Sequence, residues 1–305
     1  MAAAIDLQQQ VWPAAFLDAL ARREAGPRAR RRDDGTWVVR GDGGVVVELG
    51  ERELCLHRRS GALFAAGIDR ALFVPPLELG IDALPDGEGR RLLDAWLAGA
   101  LDAGSRFGAW AGIARDAPTS DVTAALRRGA VGLAVAADLL VDADAFDRAS
   151  SVLDALARAG RPLLVHGGRG GDGDLRRAWR AWVGHGAGAR PTLRVAFAAL
   201  AGGAPVAEPA GDVADRTFYL TSHAAPSAIA DAVGAVGIDR VAFGSGRPAV
   251  PATAQHVPPV RGVEEGALVR DAAAAVLATR VARAADAGVV PDRAWASTGP
   301  VAMAA

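Results

Sequence analysis

Eight short apolar, strand-like runs alternate with Ala- and Leu-rich helical stretches along this chain. That alternation constrains the fold more than any other feature. Parallel strands joined by helical crossovers bury both faces of a sheet, and eight of them close as a barrel. The runs are Ala2–Leu7, Arg70–Val74, Phe107–Ile113, Val131–Ala136, Pro162–His166, Arg194–Leu200, Thr217–Thr221 and Arg240–Phe243. Most are continuously apolar, as strands covered on both sides must be. The pattern predicts an α/β protein, a (β/α)8 TIM-like barrel formed as one domain over residues 1–305. A doubly wound open sheet is the rival arrangement, but no GxGxxG follows the first run.

Between the runs, helical spacing predicts helices at Pro13–Arg23, Leu54–Ala66, Gly89–Ala103, Asp121–Arg128, Ala145–Ala159, Asp174–Val183, Pro226–Val236 and Glu264–Ala278. Asp144 is the expected N-cap of the fifth. Residues Gly41–Gly44 lie between Thr36–Val39 and Val45–Leu49, the pattern of a β-hairpin. The hairpin, 36–49, reads as an insertion after the first helix. The Gly-rich stretch Gly167–Gly173 lacks a P-loop lysine and reads as a flexible βα loop.

At 51% apolar residues the chain can fill a large core. A net charge of -1 supplies no field for nucleic acid or an anionic membrane. Arg28–Arg32 is followed at once by Asp33 and Asp34 and reads as a solvated loop. No run reaches the roughly 18 apolar residues of a membrane span, and the N-terminus lacks a basic leader region. A cytoplasmic location is expected. The single cysteine, Cys55, rules out an intrachain disulfide and reads as a small buried hydrophobe. The chain has no lysine, which excludes Schiff-base chemistry on a lysine of this chain.

The first run continues Ile5-Asp6-Leu7-Gln8-Gln9-Gln10-Val11-Trp12-Pro13. This resembles the opening of amidohydrolase-2 proteins, the aminocarboxymuconate-semialdehyde decarboxylase-like branch, where the strand reads I-D-x-H-x-H before an apolar residue, an aromatic and Pro. Gly160–His166 is similar to the fifth strand of that family, with its ligand His. Pro191–Gly202 is similar to the sixth, P-x-L-R-V-x-F-x-H-x-G-G. Gly237–Ser245 is similar to the eighth, which ends G-S-D-x-P. The resemblance implies a barrel of the metal-dependent hydrolase type and an ancestral hydrolase or decarboxylase acting on a small acidic or carbonyl substrate. It also implies zinc or another divalent metal, and a homodimer.

The departures bear on chemistry. The two His of H-x-H fall on Gln8 and Gln10, the sixth-strand His on Ala199 and the eighth-strand Asp on Gly246. Only His166 keeps a family ligand. Gln binds borderline metals far less tightly than imidazole, and Ala and Gly offer no side-chain donor. No resident metal or other cofactor is therefore expected, and metal-dependent activity should be weak or lost. A poor site made by His166, His223, Gln8 and Gln10 is the alternative. His166 and His223 are the catalytic candidates, with a metal-independent lyase as one reading and a non-catalytic small-molecule binder as another. Arg247 is a candidate partner for a substrate carboxylate. Strand alternation places Asp6 on the same side as Gln8 and Gln10. Ser222 and Ser245 lack a G-x-S-x-G elbow and are not expected to be nucleophiles. His57, His185 and His256 read as solvent-facing.

Overall fold

A computed structural model describes residues 5–41, 44–85, 87–203, 209 and 211–247. In chain order the strands are β1 (Ile5–Gln10), β2 (Arg28–Arg31), β3 (Trp37–Arg40), β4 (Val46–Leu49), β5 (Arg70–Val74), β6 (Phe107–Ala109), β7 (Ala111–Gly112), β8 (Leu133–Ala136), β9 (Leu163–His166), β10 (Val195–Phe197), β11 (Thr217–Leu220) and β12 (Val241–Ala242). The orders β1-β5-β6 and β12-β11-β10-β9-β8-β7 run parallel throughout.

Two seams join these orders into one ring. β6 and β7 are a single strand interrupted at Trp110, whose N donates to Phe73 O at 2.9 Å while Ala111 N donates to Gly132 O at 3.0 Å. At the other seam Leu7 N donates to Phe243 O at 2.9 Å, Gly246 N to Gln8 O at 2.8 Å and Gln10 N to Arg247 O at 2.8 Å. The first and last staves are neighbours, and the ring is the (β/α)8 barrel that the apolar runs predict.

A main core fills the ring and the layer between strands and helices, with a small second cluster at Leu63, Ile68 and Ala71. Two buried tryptophans tie the first stave into it. Trp110 Nε1 donates to Leu7 O at 3.0 Å and Trp96 Nε1 to Val11 O at 2.9 Å. Each indole thus satisfies a carbonyl that the strand ladder does not reach.

Several sequence expectations are corrected. The insertion is a three-stranded antiparallel sheet, β2-β3-β4, rather than a hairpin confined to 36–49. The arginine cluster is therefore a strand: Ala29 is buried in the core between half-buried Arg28 and exposed Arg30, which a two-residue period permits. Cys55 is half-buried, at the junction of the helices Glu51–Leu54 and Leu56–Ala65. The Ala145–Ala159 helix is two helices, Ala143–Arg148 and Ser150–Arg158, and the cap is Asp142, whose carboxylate accepts from Ala145 N at 2.8 Å. Within Gly167–Gly173 a helix already begins at Gly171, in Gly171–Ala181. The helix expected at Glu264–Ala278 lies outside the described residues.

The sixth strand ends in a left-handed turn. Ala199, Leu200 and Ala201 have φ of 47°, 50° and 60°. Each L-residue there costs about 1–2 kcal/mol relative to a right-handed one. Ala198, at φ -63°, lies just before the turn. Replacing half-buried Ala199 with Gly should raise stability by about 0.5–1 kcal/mol, whereas Ala198→Gly should lower it. Urea midpoints of the two variants test this, and equal effects would show that the turn stores no strain.

Candidate functional site

The C-terminal ends of the barrel strands collect the polar side chains that the apolar runs exclude. A bulge sets the arrangement. β1 pairs Asp6 with Ala71 but Gln9 with Phe73, so the register slips between them. Asp6 consequently does not share an environment with Gln8 and Gln10, contrary to simple alternation. Its buried carboxylate accepts from Gln9 Nε2 at 2.8 Å, Ser245 N at 2.9 Å and Gln8 N at 3.2 Å. Burial raises its pKa, against the lowering effect of these bonds.

Gln8 turns toward the end of the seventh strand. Its Oε1 accepts from the Ser222 hydroxyl at 2.8 Å, and Ser222 Oγ accepts from Ala199 N at 3.0 Å. One chain of bonds therefore links the ends of the first, seventh and sixth strands. It occupies the Ser222 hydroxyl in both directions, consistent with the absence of a nucleophile motif.

Gln10 turns to a residue the sequence did not flag. Its Nε2 donates to Glu78 Oε1 at 2.5 Å, from the helical turn Leu77–Leu79 behind Pro75–Pro76. Burial pushes the Glu78 carboxyl up to about 7. Gln10 Oε1 and Glu78 Oε2 have no hydrogen-bond partner among the described residues. A proton on Glu78 supplies the donor this pair lacks. Arg59 closes the outer side: Nη1 donates to Gln10 O, and the guanidinium lies 5.6 Å from the Phe73 ring centroid. Burial lowers Arg59 to about 10, with Asp6 and Glu53 opposing. Further round the rim, Arg115 bridges Asp82 (3.1 Å) and Asp138 (2.5 Å), tying together the loops after the second, third and fourth strands.

His166 ends β9, and its imidazole interacts with that of His223. Burial pushes His166 down to about 4, and the neighbouring ring adds to the effect. Its Nδ1 accepts from Gly168 N at 3.2 Å, which puts the proton of the neutral ring on Nε2. His223 has φ 61°. The residue reaches solvent at the rim, while partial burial of its ring lowers its pKa, against the raising effect of Asp172. The ring rests on Gly246, where a Cβ would come within 2.6 Å of His223 Nε2. Gly246 itself has φ +66°, so a side chain at this position is strained as well as crowded.

The structure thus brings Gln8, Ala199, His166, His223 and Gly246 to one mouth, with Gln10 directed to Glu78. Arg247 is exposed beside them, its backbone bridged to Gln9. Of the other histidines, His57 is exposed and His256 lies outside the described residues. His185 is not a free loop residue: it sits in the helical turn Trp182–Gly186, 3.0 Å from Asp147 Oδ1. Its place in a continuous helix explains the difference, since the glycines around it do not break that helix.

A divalent metal fits these residues poorly. A ligating imidazole donates its other N–H to an acceptor, whereas the second nitrogen of His166 accepts a backbone N–H. The Gln8 carbonyl is bonded to Ser222, and Ala199 and Gly246 supply no donor. Among the described residues no three His, Cys, Asp or Glu gather into a potential metal site.

No known family pattern and no curated protein matches the sequence. Solved structures do match the fold. IDCase from Metarhizium anisopliae, in apo form, superposes with a TM-score of 0.64 at 14% identity, over 92% of this chain and 96% of that one. 5-Carboxyvanillate decarboxylase LigW from Sphingomonas paucimobilis gives 0.63 at 15% identity, over 93% and 99%. LigW2 from Novosphingobium aromaticivorans, with bound manganese, gives 0.58 at 17% identity, over 81% and 87%. The described residues share the barrel fold of these proteins. Among the described residues no helix is long and apolar enough to cross a membrane.

Glu78 makes a pH prediction. A carboxyl held above its unfolded value contributes stability that is complete below that value and is lost as pH rises through the folded one. Relative to Glu78→Gln, the wild-type protein should lose stability between pH 4.5 and 7, by at most about 1.4 kcal/mol per pH unit. Denaturant melts of both proteins across that window read the difference. A constant difference would show that Glu78 does not bind its proton more tightly in the folded state.

Proposed function

We propose that this chain is a barrel of amidohydrolase-2 descent whose metal-binding rim has been dismantled. It binds a small acidic or carbonyl compound at the mouth without metal-assisted turnover. The observation that carries the reading is the bonding around His166 and Gln8. The one retained family ligand holds its free nitrogen protonated, and the amide at the first former histidine position is committed to Ser222. Zinc in a site of this type activates water or holds a substrate acid; here the residues needed to hold it are spent on protein contacts or absent.

The remaining groups suit binding. The neutral His166 offers Nε2–H as a donor. Arg247 at the rim offers a planar fork for a carboxylate. Assembly as a homodimer belongs to the same proposal.

A second reading, metal-independent acid–base chemistry, is favoured by one observation: a carboxyl near pH 7 at the mouth. In that reading Glu78, rather than His166, moves the proton, because an imidazole at about 4 is already neutral at pH 7. Turnover that survives chelators and is lost in Glu78→Gln would select it.

Metal content tests the first reading. After gel filtration the wild-type protein should carry no stoichiometric zinc or manganese, and added zinc should leave its melting temperature unchanged. Gln8→His with Gln10→His should then retain zinc and melt higher in its presence. Stoichiometric metal on the wild-type protein would overturn the proposal. Failure of the double variant to bind would remove Gln8 and Gln10 from the former ligand set.

A further inference from the structure

The inserted sheet presents an arginine face far from neutral. Strand alternation sends Ala29, Val39, Val47 and Leu49 into the core. The same alternation puts Arg28, Arg30, Arg32 and Arg40 on the other face, around Val38. These five residues line a hollow of about 250 Å³. Alternate residues along a strand lie roughly 6.8 Å apart, and Arg28 stands directly opposite Arg40. Like charges in that cross-strand position are destabilising, so the sheet forms in spite of this pair.

Protein partners account for only part of the charge. Arg32 pairs with Glu48 at 2.6 Å, and Arg28 Nη1 donates to Glu24 O at 3.1 Å. Among the described residues Arg30 and Arg40 are exposed and have no carboxylate partner. The chain as a whole has a net charge of -1, so this concentration does not reflect a generally basic surface.

We propose that this face binds a short phosphate chain, free or carried by a nucleotide, independently of the barrel mouth. Guanidinium forks match phosphate oxygens, and several converging on one small hollow call for several negative charges in a small volume. The face carries no aromatic side chain on which nucleic-acid bases would stack, which favours a compact ligand over a single strand. Local sequence does not show this face, because β3 brings Arg40 beside β2 only in the folded sheet.

Calorimetric titration of the full chain with tripolyphosphate tests the proposal. Binding should weaken as salt rises. Arg30→Ala and Arg40→Ala should each weaken it by about tenfold, the size of one charge-assisted hydrogen bond. Arg31→Ala is the control: it removes the same charge one residue away, on the opposite face, and should leave affinity within about twofold. Circular dichroism checks that each variant is folded. A nucleoside triphosphate that binds as tightly as tripolyphosphate, or more tightly, supports the site and tells whether more than the phosphate chain is held. No binding by wild-type protein at low salt, equal loss in Arg31→Ala, or citrate binding as tightly as tripolyphosphate would overturn the proposal. Tighter binding of single-stranded RNA than of tripolyphosphate would overturn it in favour of a nucleic-acid surface.

Discussion

The barrel depends on one buried carboxylate at its closing seam. Asp6 accepts from Ser245 N on the last stave and from Gln8 N and Gln9 Nε2 on its own. It therefore does two things together: it bridges the two ends of the strand ring and holds the bulge that follows it. A bulged strand leaves backbone groups unpaired, and unpaired buried groups are costly. Trp110 Nε1 meets one of them, Leu7 O, from across the barrel. Removing the Asp6 acceptor would strand several donors in a site without water access, which makes this seam the place where closure is decided.

The bulge also determines what the mouth can do. It turns Gln8 toward Ser222 on the seventh strand and Gln10 toward Glu78 after the second. The two glutamines thus face different neighbours instead of converging. Gln8 becomes a structural link among three strand ends, and Gln10 becomes the partner of a carboxyl near neutrality. Gly246 lies at the same rim, and the His223 ring occupies the space a side chain there would need. Hydrogen bonds and a ring contact fill this rim, and among the described residues no three His, Cys, Asp or Glu gather into a potential metal site.

Much of this was legible in the chain. The eight apolar runs, the continuous burial of strands such as Leu133–Ala136, and the departures at Gln8, Gln10, Ala199 and Gly246 are read directly from residue order. Glu78, Arg59, Asp82 and Arg115 were not. The Pro75–Pro76 stop marked the end of a strand, but nothing in the local pattern said that the carboxylate two residues later folds back on Gln10. Arg59 sits beside exposed His57 and Arg58, and only its helical phase turns it inward to Gln10 O and the Phe73 ring.

The sequence by itself determined the number and order of the staves and the residue types at their ends, Gln8, Gln10, Ala199 and Gly246 among them. Burial on both faces dictates apolar runs, and an amide or a glycine keeps its own bonding capacity in any fold. Only the tertiary structure decided where the surviving polar groups point. Those directions rest on a one-residue slip in β1, on the protonated nitrogen that Gly168 N imposes on His166, and on strand pairing that sets Arg40 against Arg28. Each is a contact between residues that local pattern does not pair, and local propensity carries no information about it.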